Sequence, residues 1–461
     1  MAMSTFAIRR FGTSAMLCKP NKNIKSGDFD VIISGGGMIG SSTACALAKS
    51  PLLQDLKVLL IEKAPKSVFT RSEKFSNRVS ALSPGSKRFL ESLGIWDHIA
   101  GIRYKCVRNM KVWGSGSESA IDFCSSGTDV AYIVENNVIL AAIENELSKL
   151  TDKVTVLNGR NAIKYELPQF ETHSDASSVN VQMEDGNRYS CKLLLGTDGF
   201  NSKVREAMGV QYISWKYNQS AVVATLKLKK DESESNSTAW QRFLPTGPIA
   251  LLPLTDDTSS LVWTTTPDLA QSLLRASDDE FVAAINKAFT DAPLKNNLIE
   301  LTRPGVEFVL RSVGLDTSKR EPPCPPRVVS VDEKSRASFP LGFGHSTSYT
   351  KPGAILLGDA AHRVHPLAGQ GVNLGFGDVE CLAQTLSEAV QLGKPISANS
   401  SLSQFESNRQ KHNVPTMLAI DMINKIYSTN NTAAMAVGNL AIHLTNALTP
   451  FKNLMIKQAS A

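Results

Sequence analysis

An apolar strand that runs directly into three spaced glycines constrains the fold of this chain more than any other feature. Residues 30–34 predict the strand, Gly35, Gly37 and Gly40 follow it, and the small residues of 41–49 predict a helix. In a strand–turn–helix unit with this spacing, the first glycine makes the turn, the second lets the backbone approach a pyrophosphate, and the third lets the helix pack closely on the strand. The stretch therefore predicts a unit that binds a dinucleotide.

A second apolar strand supports this interpretation. Residues 57–61 predict a strand that ends on Glu62, 22 residues beyond Gly40. An acid at this place accepts hydrogen bonds from the hydroxyls of an adenosine ribose and favours a ribose without a phosphate. The alternative is an ordinary turn that binds nothing, but such a turn has no need for three glycines, each of which costs backbone entropy.

Length and charge set the broad class of the protein. The chain has 461 residues, of which 42% are hydrophobic and 20% are charged, so we expect two domains, or one large domain with an inserted subdomain. Residues 1–27 hold five of the 49 basic residues and no acid, which leaves 44 basic against 43 acidic residues in the remainder. That balance gives no reason to expect a nucleic-acid-binding surface.

The first 27 residues have the composition of a targeting segment. They are rich in Ser, Thr and Ala, and Arg9 and Arg10 lie beside apolar residues. This is typical of a mitochondrial transit peptide; the alternative is an N-terminus without a targeting role. The seven cysteines form no CxxC pair and are odd in number. We therefore expect reduced thiols in the matrix or cytosol, no disulfide framework and no metal site.

Two further positions are candidate ligand contacts. Arg78 follows Glu62 closely enough to return to the ligand, where its guanidinium would bind a pyrophosphate through two hydrogen bonds; the alternative is a surface arginine. Asp198 and Gly199 end a predicted strand, and residues 202–208 predict a helix after them. Helices are also predicted at 84–93 and 137–150.

The pattern of the chain changes in its second half. Residues 210–343 alternate as short strands around a helix at 278–288, which predicts an antiparallel sheet added to the nucleotide-binding fold. A buried strand then returns at 353–359, followed by a glycine-rich loop at 360–371 and a long helix at 372–392. The architecture is therefore α/β with an inserted antiparallel-sheet domain.

The C-terminal segment 414–456 is amphipathic and carries a single acid, Asp421. Its run 432–451 approaches transmembrane length, but polar residues and Pro450 make spanning unfavourable. Two interpretations stay open: a helix that packs on the core, and an interfacial or partner-binding surface.

Four blocks in chain order carry a family resemblance. They are the glycine turn with Glu62, Arg78, Asp198-Gly199, and Gly358-Asp359 together with the run His365 to Gly375. This set resembles the single-component FAD-dependent aromatic hydroxylases. The ubiquinone-biosynthesis branch of that family is the most similar, as judged from three short sequences: residues 77–83, 338–341 and 358–362. The resemblance covers about residues 28–412.

The resemblance implies a domain layout and a fold. The transit peptide is 1–27; a discontinuous, Rossmann-like FAD-binding domain comprises 28–104, 130–209 and 345–412; a substrate domain comprises 105–129 and 210–344; and 413–461 is a C-terminal helical region. The implied class is α/β, the aromatic hydroxylase fold with C-terminal helices.

The resemblance also assigns site residues. The cofactor FAD would be held by Gly35, Gly37, Gly40, Glu62, Arg78, Asp198, Asp359, Gly371, Asn373 and Leu374. Pro366, Gly369 and Gln370 would form the loop that faces the flavin and the substrate. No general base is marked: His345, His362, His365 and the tyrosines are candidates, but a lone histidine is more often a hydrogen-bonded structural residue.

The implied activity is hydroxylation of the aromatic ring of a polyprenyl phenol or hydroxybenzoate intermediate in ubiquinone biosynthesis, through a flavin C4a-hydroperoxide. The implied partners are that substrate, molecular oxygen, other ubiquinone-biosynthesis proteins in a membrane-associated complex, and a ferredoxin with its reductase, or NADPH, as electron donor. The implied location is the matrix side of the mitochondrial inner membrane. Two alternatives remain: an FAD oxidoreductase that acts on a polyprenyl substrate without inserting oxygen, and a non-catalytic flavin-fold scaffold.

A long tail cannot be buried beside the flavin, so the sheet of residues 210–343 is expected to form an apolar tunnel. Phe243, Trp263 and Phe343 are candidate wall residues. The alternative is that these aromatic side chains fill the core of the sheet.

Overall fold

A computed structural model describes residues 27–66, 68–114, 120–124, 129–168, 178–229, 235–291 and 323–428. Residues 1–26 of the predicted transit peptide and residues 429–456 of the amphipathic segment lie outside the described residues.

The strands follow the predicted order closely. They are β1 (Asp28–Ser34), β2 (Val58–Glu62), β3 (Val79–Leu82), β4 (Lys105–Val107), β5 (Asn109–Gly114), β6 (Ala120–Cys124), β7 (Ala131–Glu135), β8 (Val154–Asn158), β9 (Ala162–Glu166), β10 (Val179–Met183), β11 (Arg188–Gly196), β12 (Tyr212–Leu228), β13 (Thr238–Leu244), β14 (Gly247–Pro253), β15 (Thr258–Thr265), β16 (Val328–Val331), β17 (Ala337–Ser346), β18 (Thr350–Lys351), β19 (Ala354–Leu356) and β20 (His362–Arg363).

The helices include the predicted ones and three that the sequence patterns did not single out. They are α1 (Met38–Lys49), α2 (Pro84–Ser92), α3 (Trp96–Ile102), α4 (Asn136–Ser148), α5 (Lys203–Met208), α6 (Pro267–Arg275), α7 (Asp278–Thr290), α8 (Gly371–Gln391) and α9 (Asn399–Tyr427). Short 3-10 helices occur at Gly358–Ala360 and Pro366–Ala368. The unpredicted helices are α3, α6 and the first half of α9.

The first sheet has the order β18-β19-β11-β1-β2-β8, with β10 on β11 and β9 on β10. Its central pairs are parallel, β2 with β1, β1 with β11, and β11 with β19. Val31, Ile32 and Ile33 of β1 are all fully buried, which is the pattern of a parallel strand covered on both faces. Helix α1 packs against α4 and α8, so the small residues predicted for it let it lie in the interior.

The second sheet has the order β20-β17-β12-β15-β14-β13-β5-β6, with β16 beside β12. The predicted antiparallel sheet is confirmed with one correction, because β5 and β13 are parallel neighbours. The two strands can run in the same direction because they are far apart in the chain, so the connection between them is long enough to cross over. Helices α6 and α7 contribute Leu273, Phe281 and Ile285 to the apolar cluster on one face of this sheet.

A small third sheet, β3-β7-β4, lies between the two large ones. Val107 of β4 and Ile133 of β7 share a cluster with Ala239 of β13 and Leu254. Apolar burial therefore connects the small sheet to the second sheet. The predicted domain limits at 105 and 130 fall within this connection, and the domain layout stays a prediction.

Helix α9 is a single helix of 29 residues with Pro415 inside it, and the predicted boundary after residue 412 falls within it. Met417, Ile420, Asp421 and Asn424 on one face are buried. None of the helices in the described ranges is both long and apolar enough to cross a bilayer.

Candidate functional site

Four neighbouring parallel strands bring the predicted site residues to one edge. The strands β2, β1, β11 and β19 lie side by side and run in the same direction. Their carboxyl ends lead into Glu62, Gly35, Asp198 and Gly358-Asp359, respectively. The crevice at the carboxyl ends of such a sheet is where α/β folds bind ligands.

The three glycines of the turn have distinct steric surroundings. Gly35 has φ of +106°, and a Cβ there would lie 2.5 Å from the carbonyl oxygen of Thr197. A Cβ on Gly40 would lie 1.8 Å from the carbonyl oxygen of Gly35. Gly37 has no atom within 4 Å of its Cβ position, and it begins α1 without a side-chain cap. The start of α1 thus offers N–H groups and open space, which suits a pyrophosphate.

Glu62 stands directly beside this turn. Its Oε2 accepts a hydrogen bond from the backbone N–H of Gly36 over 2.5 Å, and its Oε1 accepts one from Ala64 over 2.7 Å. A carboxylate has about four acceptor positions, so Glu62 keeps capacity for two ribose hydroxyls.

Asp198 at the end of β11 has one satisfied and one unsatisfied oxygen. Its Oδ2 accepts the backbone N–H groups of Lys203 and Val204 at the start of α5. Its Oδ1 is buried and has no hydrogen-bond partner among the described residues. Burial raises the pKa of this carboxyl, although its hydrogen bonds act in the opposite direction. An unsatisfied acceptor at this edge is consistent with a bound ligand that donates to it.

The loop after β20 is held against the strand β3 by one amide. Asn373 Oδ1 accepts from the backbone N–H of Ser83 over 2.9 Å, and its Nδ2 donates to the carbonyl oxygens of Ala81 and Gly369 over 2.9 and 3.1 Å. Gly369 has φ of +60°, and its Cβ position lies 3.2 Å from Ala81. Asn373 is therefore a clamp on the loop rather than a side chain free to bind a ligand.

The start of α8 faces the same region. Helix α8 begins at Gly371, Gln370 precedes it, and no side chain caps its first turn. Its first N–H groups are thus free to bind an anionic or electron-rich group. Pro366 lies in the short 3-10 helix of the loop, and the side chain of Leu374 is buried in a cluster with Phe343 and Met417.

Asp359 is exposed at the sheet edge, although the atoms around its carboxyl desolvate it enough to raise its pKa, with His362 and Arg363 acting in the opposite direction. Arg78 is exposed as well, and its guanidinium makes no hydrogen bond or ion pair that we observe within the described part of the chain. Both side chains are therefore available to a ligand. The structure brings Gly35, Gly37, Glu62, Asp198 and Asp359 to one edge.

A buried charged network behind this edge was not predicted. Asp378 of α8 is fully buried and accepts hydrogen bonds from His362 Nε2 (2.7 Å), Arg409 Nε (2.7 Å) and the backbone N–H of Gly358 (2.9 Å). Burial alone would raise the pKa of Asp378, but His362 and Arg409 hold it well below its usual value. Arg409 also donates to the carbonyl oxygen of Leu374 over 3.1 Å.

The network joins the turn at Gly358, the start of α8 and helix α9. The only signal in the sequence was an acid in the otherwise apolar face of a predicted helix, and that signal does not identify partners 16 and 31 residues away.

The three candidate histidines have different surroundings. His362 is bound by Asp378. His345 is half-buried, and burial together with the nearby His362 lowers its pKa. His365 is fully buried at the start of the loop. No general base is assigned among them.

The candidate tunnel aromatics divide between two environments. Trp263 lies in the apolar cluster beneath α6 and α7, so for this residue the core interpretation is correct. Phe343 stacks on Trp215, with ring centroids 4.0 Å apart, and packs on Leu374 at the start of α8. Phe243 stacks on Tyr427 of α9 with a centroid distance of 4.2 Å.

Comparison with known proteins identifies the fold and the relatives. A family model described as FAD binding domain matches residues 28–310 and 326–413. The chain is 45% identical to the human protein named ubiquinone biosynthesis monooxygenase COQ6, mitochondrial, over 94% of this chain and 92% of that protein. Proteins of the same name from Drosophila melanogaster and Caenorhabditis elegans are 43% and 38% identical, each over 94% of this chain and over 89% and 96% of their own lengths.

Solved structures show the same fold at low sequence identity. PqsL of Pseudomonas aeruginosa, described as a probable FAD-dependent monooxygenase, gives a TM-score of 0.63 at 19% identity over 90% of this chain and 100% of that one. The p-nitrophenol 4-monooxygenase PnpA of Pseudomonas putida gives 0.65 at 18% identity over 94% of this chain and 99% of that one. The predicted α/β aromatic hydroxylase fold is confirmed.

Proposed function

Because the chain belongs to the FAD binding domain family and, within it, to the mitochondrial ubiquinone biosynthesis monooxygenases, we propose that it hydroxylates the aromatic ring of a polyprenyl phenol or polyprenyl hydroxybenzoate on the route to ubiquinone. It is an FAD-dependent monooxygenase. The observation that carries the proposal is the row of acidic side chains and glycine backbone, with the uncapped start of α1, that four parallel strands place at one sheet edge. Such an edge suits an extended dinucleotide.

The proposed binding roles follow that row. Gly37 and the start of α1 would receive the pyrophosphate, Gly35 and Gly40 would shape the turn that presents them, and Glu62 would accept the ribose hydroxyls. Arg78 would bind the pyrophosphate, since its guanidinium is exposed and has no hydrogen-bond or ion-pair partner that we observe among the described residues.

The remaining roles belong to the redox end of the cofactor. Asp198 and Asp359 would accept hydrogen bonds from the cofactor chain, and Gly371, Asn373 and Leu374 would line its ring system. Asn373 acts through the backbone it clamps. Bound FAD supplies the redox chemistry and the activation of molecular oxygen.

The chain's own contribution is to position and to enclose. Pro366, Gly369 and Gln370 would face the ring that is hydroxylated, and the free N–H groups at the start of α8 would stabilise negative charge on the reduced cofactor. The second sheet would exclude water from the reacting face, which protects a reactive oxygen species from loss.

The relatives are named mitochondrial, and we propose the same compartment, on the matrix side of the inner membrane. Exposed Leu418 (53%) and Met422 (59%) lie one turn apart on α9, near the exposed side chains of Lys411 and of Lys425, which pairs with Asp421 over 2.7 Å. An apolar stripe beside lysines suits an anionic bilayer surface or a membrane-associated partner complex.

The electron donor is proposed to be a ferredoxin with its reductase, or NADPH. Anaerobic mixing of the FAD-loaded protein with each donor separates the two, because only the true donor bleaches the flavin absorbance at a catalytically competent rate. Bleaching by neither donor would contradict both assignments.

Isotopically labelled molecular oxygen tests the reaction itself. Supplied with reductant, oxygen and a short-tailed prenylphenol, the FAD-loaded protein should give a product that carries one labelled oxygen atom. Asp359→Asn serves as the matched variant, expected to bind FAD more weakly because a charged acceptor is lost.

The two alternative functions predict other results. Turnover with an unlabelled product would identify an oxidoreductase that inserts no oxygen. Protein that stays colourless after incubation with FAD would identify a non-catalytic scaffold.

A further inference from the structure

One polar side chain beside the proposed flavin-facing loop is buried with only part of its hydrogen-bonding capacity used. His365 immediately precedes Pro366 and is fully buried. Its Nδ1 accepts a hydrogen bond from the backbone N–H of Leu367 over 3.1 Å, which caps the short 3-10 helix of the loop. That bond fixes the role of one ring nitrogen, because an accepting Nδ1 carries no proton.

The protonation state of the ring follows from its surroundings. Burial lowers the pKa of His365 to about 4, although the nearby carboxylate of Asp421 acts in the opposite direction. At neutral pH the imidazole is therefore uncharged, and its single N–H proton lies on Nε2. His365 presents one hydrogen-bond donor.

This donor has no partner among the residues that the structure describes. Buried donors are almost always satisfied, because an unsatisfied one loses its hydration without compensation. The ring packs edge-on against Tyr217 with centroids 5.1 Å apart, but an N–H group gains little from an aromatic face. The hydroxyl of Tyr217 donates elsewhere, to Asp421 over 2.9 Å.

The donor lies where three parts of the site meet. His365 begins the loop that continues through 366–371, and its ring packs on β12, whose pairing with β17 shifts register beside Tyr217. Helix α9 reaches the same place through Asp421, which accepts a hydrogen bond from Tyr217 and lies close enough to act on the pKa of His365. The donor therefore lies between the loop, the second sheet and α9, one residue from Pro366.

We propose that His365 contacts the substrate, its Nε2–H donating a hydrogen bond to the oxygen substituent of the ring that is hydroxylated. The inference rests on the proposed function, because a phenol is the substrate class named there. The hydrogen bond orients the ring in the site and favours its phenolate form, in which the ring is richest in electrons, because a donor stabilises the charged oxygen. Because His365 is fully buried, admission of the ring requires Tyr217, which is partly exposed, to move aside.

Two ligands that differ by one oxygen atom test this contact. A short-tailed prenylphenol and the matching prenylbenzene are titrated by equilibrium dialysis against the FAD-loaded wild type and His365→Asn. The asparagine oxygen retains the bond from Leu367, but its side chain does not reach the position of Nε2. The affinity of the variant for the phenol should fall roughly tenfold, and its affinity for prenylbenzene should not change.

His365→Gln is the matched control. Glutamine places an N–H donor near the position of Nε2 but does not cap the loop. This variant should keep most of the phenol affinity of the wild type while melting at a lower temperature.

Two outcomes would overturn the proposal. Equal losses of affinity for both ligands in His365→Asn would assign His365 to loop structure alone. Loss of bound FAD with unchanged affinity for the phenol would assign the donor to the cofactor.

A measurement on the wild-type protein tests the proposed hydrogen bond even if neither variant folds. The chain has seven histidines, and selective isotope labelling resolves their ring N–H resonances. One Nε2–H resonance should shift with the prenylphenol and stay in place with prenylbenzene; the absence of such a shift overturns the proposal. Wild-type protein that shows the shift but inserts no labelled oxygen would refute the proposed function and leave the hydrogen bond standing.

Discussion

The glycines in the turn after β1 have different roles, although their spacing alone does not distinguish them. Gly40 has no room for a side chain, because its Cβ position lies 1.8 Å from the carbonyl oxygen of Gly35. Gly37 has room within the protein, since no atom lies within 4 Å. Folding therefore requires a glycine at position 40. The glycine at position 37 is explained by a ligand that fills the open space beside it.

Replacing these two glycines should therefore separate stability from cofactor binding. Gly37→Ala should leave the melting temperature of the cofactor-free protein unchanged and weaken FAD binding by roughly tenfold or more, because a methyl group occupies the approach of the pyrophosphate. Gly40→Ala should lower the melting temperature itself. Both are measured by thermal melting and by FAD titration.

Gly101→Ala is the control, since this helical glycine also has nothing within 4 Å of its Cβ position and lies on α3. Normal FAD affinity in Gly37→Ala would refute the assignment of the turn to the pyrophosphate.

At the scale of elements, helix α8 serves both sides of the site. Its first turn presents free N–H groups to the flavin-facing region, and Asp378 in its second turn binds Gly358 and Arg409. Gly377 leaves room for this arrangement, because a Cβ there would lie 2.9 Å from the guanidinium of Arg409. One buried carboxylate thus fixes the relative positions of α8, α9 and the turn before Asp359.

Asp378→Asn should destabilise the protein by about 3–5 kcal/mol, because it leaves the Arg409 guanidinium buried without its counter-charge. The depressed pKa of Asp378 gives the sign of the pH dependence. The stability advantage of the wild type is complete above the usual aspartate pKa of 3.8 and is lost as the pH falls towards the lower pKa of the folded state. Urea unfolding at a series of pH values measures it.

Glu380→Gln, at an exposed position on the same helix, is the control for Asp378→Asn and should be nearly neutral. An advantage of the wild type that stays constant below the usual aspartate pKa would contradict the electrostatic explanation.

Helix α9 has a buried face and an exposed apolar stripe. The double substitution Leu418→Ser and Met422→Ser should reduce sedimentation with anionic liposomes several-fold while FAD stays bound, because both side chains are exposed. Ser403→Ala with Ser407→Ala, at exposed polar positions of the same helix, is the matched control. Unchanged sedimentation of the apolar double variant would remove α9 as the membrane-facing element.

For the molecule as a whole, the site is assembled from segments that are far apart in the chain. The residues that would hold FAD come from 35–62, from Arg78, from Asp198 and from 359–374. The cofactor would thus bridge strands and loops separated by hundreds of residues. Binding should stabilise the entire fold rather than one segment.

Removal of FAD should therefore lower the melting temperature. At a free FAD concentration 100 times the dissociation constant, the stabilisation is about 2.7 kcal/mol. Gly37→Ala should lose about half of this shift or more at the same FAD concentration, whereas Gly101→Ala should retain it. A melting temperature of the wild type that does not depend on FAD would be incompatible with the proposed site.

Local sequence determined the nucleotide-binding unit, because its information is contained in adjacent residues. The strand of 30–34, the glycines at 35, 37 and 40, and Glu62 follow each other within one strand–helix–strand unit, so spacing alone predicts their geometry. The resemblance of the later blocks added the FAD cofactor and the aromatic hydroxylase fold, and both are confirmed.

Tertiary structure alone decided the contacts made across long separations. Nothing local predicts that Asp378 meets Arg409, or that Asn373 clamps Ala81, which lies 292 residues earlier in the chain. The pairing of β5 with β13 in parallel and the burial of Trp263 beneath α6 and α7 are of the same kind. Periodicity specifies which face of an element is apolar, but which element covers that face depends on how the whole chain packs.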